Sequence, residues 1–136
     1  MALTHLLDTT VFSQPVKDRP LETVMSRWSH IGDAAVCTSA ICLAEVRQGL
    51  EERQSEKYWR RFRELLDQKY VVLPFDALAA ERFGTTSAAQ RRVGKSTPQV
   101  DLLIAATALA HGLRLVTLNT ADFTGIPDLA VEDWTQ

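Results

Sequence analysis

Four carboxylates stand out for where they sit along the chain. Asp8 follows the apolar run Leu3 to Leu7, Glu45 is the only charge within Ile41 to Val46, Asp101 opens an apolar stretch that reaches Ala110, and Asp122 lies in the polar turn Asn119 to Phe123. Singly, each has an ordinary explanation. Asp8 suits a turn or a cap, Glu45 a solvated helix face, Asp101 the favourable end of a helix dipole, and Asp122 a local side-chain to backbone hydrogen bond. Gathered together they demand more. Carboxylates ~4–5 Å apart repel by about 3–4 kcal/mol per pair at an effective dielectric near 20, so a fold that assembles them must protonate some or place a cation between them. An all-oxygen donor set selects a hard ion. Mg²⁺ or Mn²⁺ fits, because it binds through a few carboxylates and keeps waters that a phosphate can displace. Zinc is disfavoured, since His5, His30 and His111 are scattered and Cys37 and Cys42 lack paired zinc spacing. The histidines read as surface or core-edge residues, and the cysteines as buried free thiols of a reducing compartment.

The elements that must position these acids alternate between strand and helix. Leu3 to Leu7 reads as a short buried strand, and a helix runs from the Asp18-Arg19-Pro20 start to about Ile31, stopped at Gly32. Ala35 to Thr38 is a second strand, after which Thr38 or Ser39 caps a helix from about Ala40 to Leu50. Gln54 to Gln68 is a separate helix with Trp59, Phe62, Leu65 and Leu66 on one face. Tyr70 to Leu73 is a third strand, and Asp76 caps a helix over Ala77 to Arg92. Pro98 opens a helix that is apolar nearly all round and ends at Gly112; Leu113 to Leu118 is a fourth strand and Leu129 to Glu132 a short edge strand. Strands joined by helices give crossover units. The fold expected is therefore α/β, a three-layer sandwich with a central, mainly parallel sheet flanked by helices. In such sheets the functional crevice lies beyond the carboxyl ends of the strands where strand order reverses, and Asp8 and Asp122 both fall just past strand ends.

Size and charge bound the possibilities. A chain of 136 residues with 46% apolar and 24% charged residues is one globular domain, 1–136, able to bury a core without disulfide or metal support. A net charge of −2 excludes a strongly basic nucleic-acid binder, so any basic surface is local. The stretch from Met1 to Leu7 is too short and interrupted for a signal peptide, and no apolar run approaches the ~18 residues of a membrane span, so a cytoplasmic protein with no membrane partner is expected.

Five segments carry a resemblance: Leu6-Leu7-Asp8-Thr9-Thr10-Val11, Ala44-Glu45-Val46-Arg47-Gln48-Gly49, Val72-Leu73-Pro74-Phe75-Asp76, Asp101-Leu102-Leu103-Ile104-Ala105-Ala106, and Val116-Thr117-Leu118-Asn119-Thr120-Ala121-Asp122-Phe123. In this order and spacing the chain resembles PIN-domain ribonucleases, nearest the VapC-type toxins of bacterial toxin–antitoxin pairs. The resemblance implies a PIN-like fold and a Mg²⁺- or Mn²⁺-dependent endoribonuclease leaving a 5′-phosphate and a 3′-hydroxyl. It implies that Asp8, Glu45, Asp101 and Asp122 are the catalytic, metal-holding acids, with Asp8 and Asp101 the most direct ligands and Glu45 and Asp122 binding through water or holding a second ion. Thr9, Thr117 and Asn119 fall where the family carries supporting polar groups, and Thr10 stands where the family usually has Asn. The partners implied are an RNA substrate, a cognate antitoxin protein and a second copy of the chain in a homodimer.

Setting the four acids aside turns the charge of −2 into a mildly basic remainder, whose cations fall in two stretches: Arg47 to Arg63, and Arg91, Arg92 and Lys95. Arg47, Arg60, Arg91 and Arg92 are the candidates for binding substrate phosphates. Two other readings compete. Asp8 could be the nucleophile of a phosphatase or phosphotransfer domain, although Thr10 occupies the position where the best-known such phosphatases carry a second aspartate; or the chain is a catalytically silent binding module.

Overall fold

The structure, a computed structural model, describes residues 2–136. Five short strands, β1 (His5–Leu7), β2 (Val36–Ser39), β3 (Val71–Leu73), β4 (Arg114–Val116) and β5 (Val131–Glu132), form one sheet in the order β3-β2-β1-β4-β5. Every neighbouring pair is parallel. Successive residues of a strand point to opposite faces, and the central strands carry apolar residues on both. Leu7, Val36 and Val116 pack into a core with Phe12, Trp28, Val46 and Phe62, while Leu6, Cys37 and Leu115 pack on the other side with Leu102, Ile104 and Ala105. The first side is covered by α1 (Thr9–Phe12), α2 (Glu22–Ile31), α3 (Ala40–Arg53) and α4 (Glu56–Leu66), the second by α5 (Ala77–Arg92) and α6 (Gln99–Ala110). This is the three-layer sandwich expected from the alternation of elements.

The differences from the expected elements have local causes. The second helix begins at Glu22, because Leu21 is still extended and the carboxylate of Asp18 is taken up by Tyr58, Arg61 and Lys57. The four-residue α1 is too short to show any periodicity, and it forms because the Asp8 side chain accepts from the Val11 amide. Helix α3 runs on to Arg53, where a left-handed Gln54 (φ 51°) ends it and delays α4 to Glu56. The polar turn after β4 closes as a 3₁₀ turn over Thr120–Phe123. The expected start and end of α5 and the caps Ser39 and Asp76 stand as read from the sequence. Among the described residues, no helix is long and apolar enough to cross a membrane.

Candidate active site

Strand order reverses at β1: the chain moves outward through β2 and β3, then returns to place β4 on the opposite flank of β1. The open end beyond β1 and β4 is the crevice that such a reversal creates. Each acid reaches it from a different element. Asp8 is the residue after β1 and the N-cap of α1. Glu45 lies in the second turn of α3, the helix that Ser39 starts at the end of β2 by accepting from the Cys42 amide. Asp101 is in the first turn of α6, and Asp122 is in the 3₁₀ turn after β4.

Asp8 is the buried member, 4% exposed. Its Oδ1 accepts from the Val11 amide (3.2 Å) and from the Thr10 hydroxyl (2.5 Å), and the Thr117 hydroxyl also bonds to the carboxylate. Burial pushes its pKa above the usual carboxylate range, and these hydrogen bonds offset only part of that rise. Asp101 is raised too, first by burial and then by the charges of Asp122, Glu45 and Asp8. Three remote segments therefore act on a fourth at short electrostatic range. Thr9 donates its hydroxyl to Glu45 Oε1 in a very short contact, and Asp122 stands exposed at the rim with its amide bonded to the Asn119 carbonyl (3.0 Å).

Asp122, Glu45 and Asp8 lie near enough to act on Asp101, but among the described residues no group of three or more His, Cys, Asp or Glu side chains makes a ready metal cage. Oxygen donors spaced in this way suit an ion that takes one or two carboxylates and completes its shell with water and phosphate oxygens. They do not suit zinc, which asks for three or four close nitrogen or sulfur ligands.

Of the expected supporting groups, Thr9 holds Glu45 and Thr117 holds Asp8. Asn119 takes part through its main chain, donating to Thr117 Oγ1 (3.0 Å) and accepting from Asp122. The residue that sequence reasoning undervalued is Thr10. It donates to Asp8 and accepts from the Leu118 amide (3.0 Å), tying the first acid to the segment that carries the last. Its signal was a hydroxyl two positions past an acid at a strand end, a pattern too common to stand out alone.

The candidate phosphate-binding arginines lie further out. Arg47 pairs with Glu51 (3.9 Å) and lies 5.2 Å over the Trp59 ring, Arg60 is exposed on α4, and Arg91 and Arg92 are exposed at the end of α5. The thiols offer no nucleophile. Burial pushes Cys37 up to about 12 and Cys42 upward as well, and both are buried and free. Nor does Asp8 suit covalent attack, because Oδ1 is committed to two hydrogen bonds inside the fold.

Comparison with known proteins agrees with the fold. The family model described as PIN domain matches residues 5–128. The tRNA(fMet)-specific endonuclease VapC of Shigella flexneri is 31% identical, over 97% of this chain and 98% of its own. Toxin FitB of Neisseria gonorrhoeae is 30% identical, over 95% and 97%. Among solved structures, the DNA-bound VapBC of Salmonella typhimurium superposes with a TM-score of 0.83 at 30% identity, covering 97% of this chain and 98% of that one. With the family model over residues 5–128, about 30% identity along nearly the whole chain and a shared fold, the chain belongs to the PIN-domain family, among its VapC-type members.

Proposed function

We propose that this single-domain chain is a Mg²⁺- or Mn²⁺-dependent endoribonuclease, the toxin of a toxin–antitoxin pair, and that Asp8, Glu45, Asp101 and Asp122 are its catalytic acids. The observation that carries the reading is the placement of the four acids about the end of the sheet where strand order reverses: the N-cap of α1, the second turn of α3, the first turn of α6 and the turn after β4. They lie near enough that Asp122, Glu45 and Asp8 raise Asp101. Charge of one sign gathered at the crevice of the sheet costs stability, and a site where local rules are broken in this way is where function is expected.

Asp8 and Asp101 would hold the ion, with Glu45 and Asp122 flanking it. When bound, such an ion supplies positive charge against the phosphodiester and makes water acidic enough to attack near neutral pH. The chain supplies orientation. Thr10, Thr117 and the Val11 amide fix Asp8 in one rotamer, and Thr9 holds Glu45 Oε1 so that Oε2 is left to orient water. No side-chain nucleophile is needed for a hydrolysis of this kind. The relatives named VapC and Toxin FitB, and the VapBC and FitAB complexes among the structural neighbours, support an RNA substrate and a cognate antitoxin. A homodimer and a cytoplasmic location complete the reading.

The test is cleavage of mixed RNA by the purified chain, with sequencing of the new ends. Cleavage that needs Mg²⁺ or Mn²⁺, stops with EDTA, leaves 5′-phosphates and is lost in Asp8→Asn and Asp101→Asn supports the proposal. Cleavage indifferent to chelator, or retained in both variants, overturns it.

A further inference from the structure

The two basic stretches of the sequence are not equivalent in the fold. The first is mostly occupied internally: Lys57 and Arg61 both pair with Asp18 (3.1 and 2.8 Å), Arg63 pairs with Glu56, and Arg47 pairs with Glu51, while Arg60 stands exposed and, among the described residues, without an ion pair. Arg53, Lys57 and Arg61 also surround the Tyr58 ring, 4.2, 4.8 and 5.5 Å from its centre. The second is left open. Among the described residues, neither Arg91, Arg92 nor Lys95 has a carboxylate within ion-pair distance.

The open cations sit on a rigid turn. Helix α5 ends with Gly94 in the left-handed region (φ 71°), the Lys95 amide returns to the Gln90 carbonyl (2.9 Å), and the Gly94 amide returns to Arg91 (3.2 Å). This pair of bonds is a Schellman ending, and only glycine takes its turning position without strain. The buried Gln90 side chain then crosses to the far side of the turn and donates to Thr97 Oγ1 (2.8 Å). A cleft of about 220 Å³ opens beside it, lined by Ser87, Arg91, Lys95, Thr97 and Gln99. Gln99 and Asp101 share the first turn of α6, so the cleft lies at the same end of that helix as Asp101, although side chains two residues apart point to different sides. Lys95 leans towards the segment that follows the 3₁₀ turn of Asp122. Its ammonium passes over Gly125, three residues after Asp122, where a Cβ would stand 3.1 Å from Nζ.

We propose that this cleft between α5 and α6, with Arg91 and Lys95 as its cations, is a subsite for a backbone phosphate of the RNA flanking the bond to be cut. The inference rests on the ribonuclease reading and names the part of the surface that holds the strand. Cations without internal partners, hydroxyl and amide donors on a pinned turn, and a place at the end of α6 that carries Asp101 are what an incoming polyanion needs to approach a negatively charged centre. Phosphate contacts hold the strand in register without reading bases. Arg47, Arg61 and Arg63, each already facing a carboxylate, contribute less.

The test is fluorescence anisotropy with end-labelled single-stranded oligoribonucleotides of two unrelated sequences, using the uncleaving Asp101→Asn chain across a salt series. Adding Arg91→Gln and Lys95→Gln is expected to weaken binding roughly 10–30-fold near 0.1 M salt and to reduce the salt slope by about 1.4, equally for both sequences. The control pair Lys57→Gln and Arg63→Gln is expected to stay within about twofold. Unchanged affinity and slope in the first pair, an equal loss in the control pair, or a loss confined to one sequence overturns the subsite. Failure of the parent chain to cut any species in mixed RNA with Mg²⁺ or Mn²⁺ overturns the ribonuclease reading, and the subsite with it.

Discussion

Two carboxylates of the same fold, one on a strand and one on a helix, meet opposite treatment. Glu132, on edge strand β5, is compensated on every side: His5 Nε2 and Arg114 Nη1 each approach to 3.3 Å, and the Trp134 indole donates to it at 3.0 Å. Burial pulls its pKa upward, but the Trp134 hydrogen bond and the neighbouring His5 and Arg114 outweigh burial, and the carboxyl rests below its usual range. Asp101, at the mouth of the crevice, has burial acting in the same direction and only further negative charge nearby, so it rests above its usual range. A fold able to surround one acid with three donors has left another among three acids. Under the proposed function, Glu132 belongs to the scaffold and Asp101 to a site that a bound cation would complete.

The comparison breaks most readily through activity. Asp8→Asn is expected to lower RNA cleavage by on the order of 10²–10³ or more, the size seen when one electrostatic group of a preorganised site is removed, whereas Glu132→Gln is expected to leave the rate within about twofold. Rate constants on one defined RNA check both, and a comparable fall in the two variants would erase the distinction. Next in size is Thr10→Val. It keeps the shape but removes the hydroxyl that donates to Asp8 and accepts from the Leu118 amide, so a loss of about 10–100-fold in activity or metal affinity is expected, with Thr10→Ser restoring most of it. Mn²⁺ titration calorimetry measures the affinity apart from turnover.

The legibility of these features in the sequence follows their physics. Helix α5 was readable to the residue because Asp76 caps it and Gly94 ends it, signals that act within a few positions. The strands were readable as apolar runs, since a parallel sheet covered on both faces needs no alternation. Helix α1 was not, because a single turn carries no period and its cap, Asp8, is also the acid of the site. The four acids were legible as a set only through motif order; nothing local to Glu45 says that α3 turns it towards Thr9. The roles of the cations were hidden for a related reason. Asp18 reads as a helix start, and only the tertiary fold sets it against Lys57, Tyr58 and Arg61 and so separates an occupied basic surface from an open one.

Stability sharpens the comparison through smaller effects of opposite sign. Glu132→Gln removes the charge that His5 and Arg114 face, and a loss of about 1 kcal/mol, or roughly 3–4 °C in Tm at neutral pH, is expected. Asp101→Asn is expected to do the reverse in metal-free buffer, raising Tm by about 1–2 °C, a modest figure because solvent screens a partly exposed group. The sign follows from linkage. With its folded pKa raised above the ordinary 3.8, Asp101 binds its proton more readily in the folded chain, so its contribution to stability is fully present below that value and is lost as pH rises through the raised one. Asparagine cannot ionise, so the advantage of the variant should be present at pH 7 and fade as the pH falls towards 3.8. Adding Mg²⁺ at pH 7 should invert the order, because the parent chain gains stability from a bound ion and the variant gains less. Melting curves at both pH values, with and without the ion, measure all of this, and an Asp101→Asn chain that melts below its parent in metal-free buffer at pH 7 would show that this carboxylate is compensated after all.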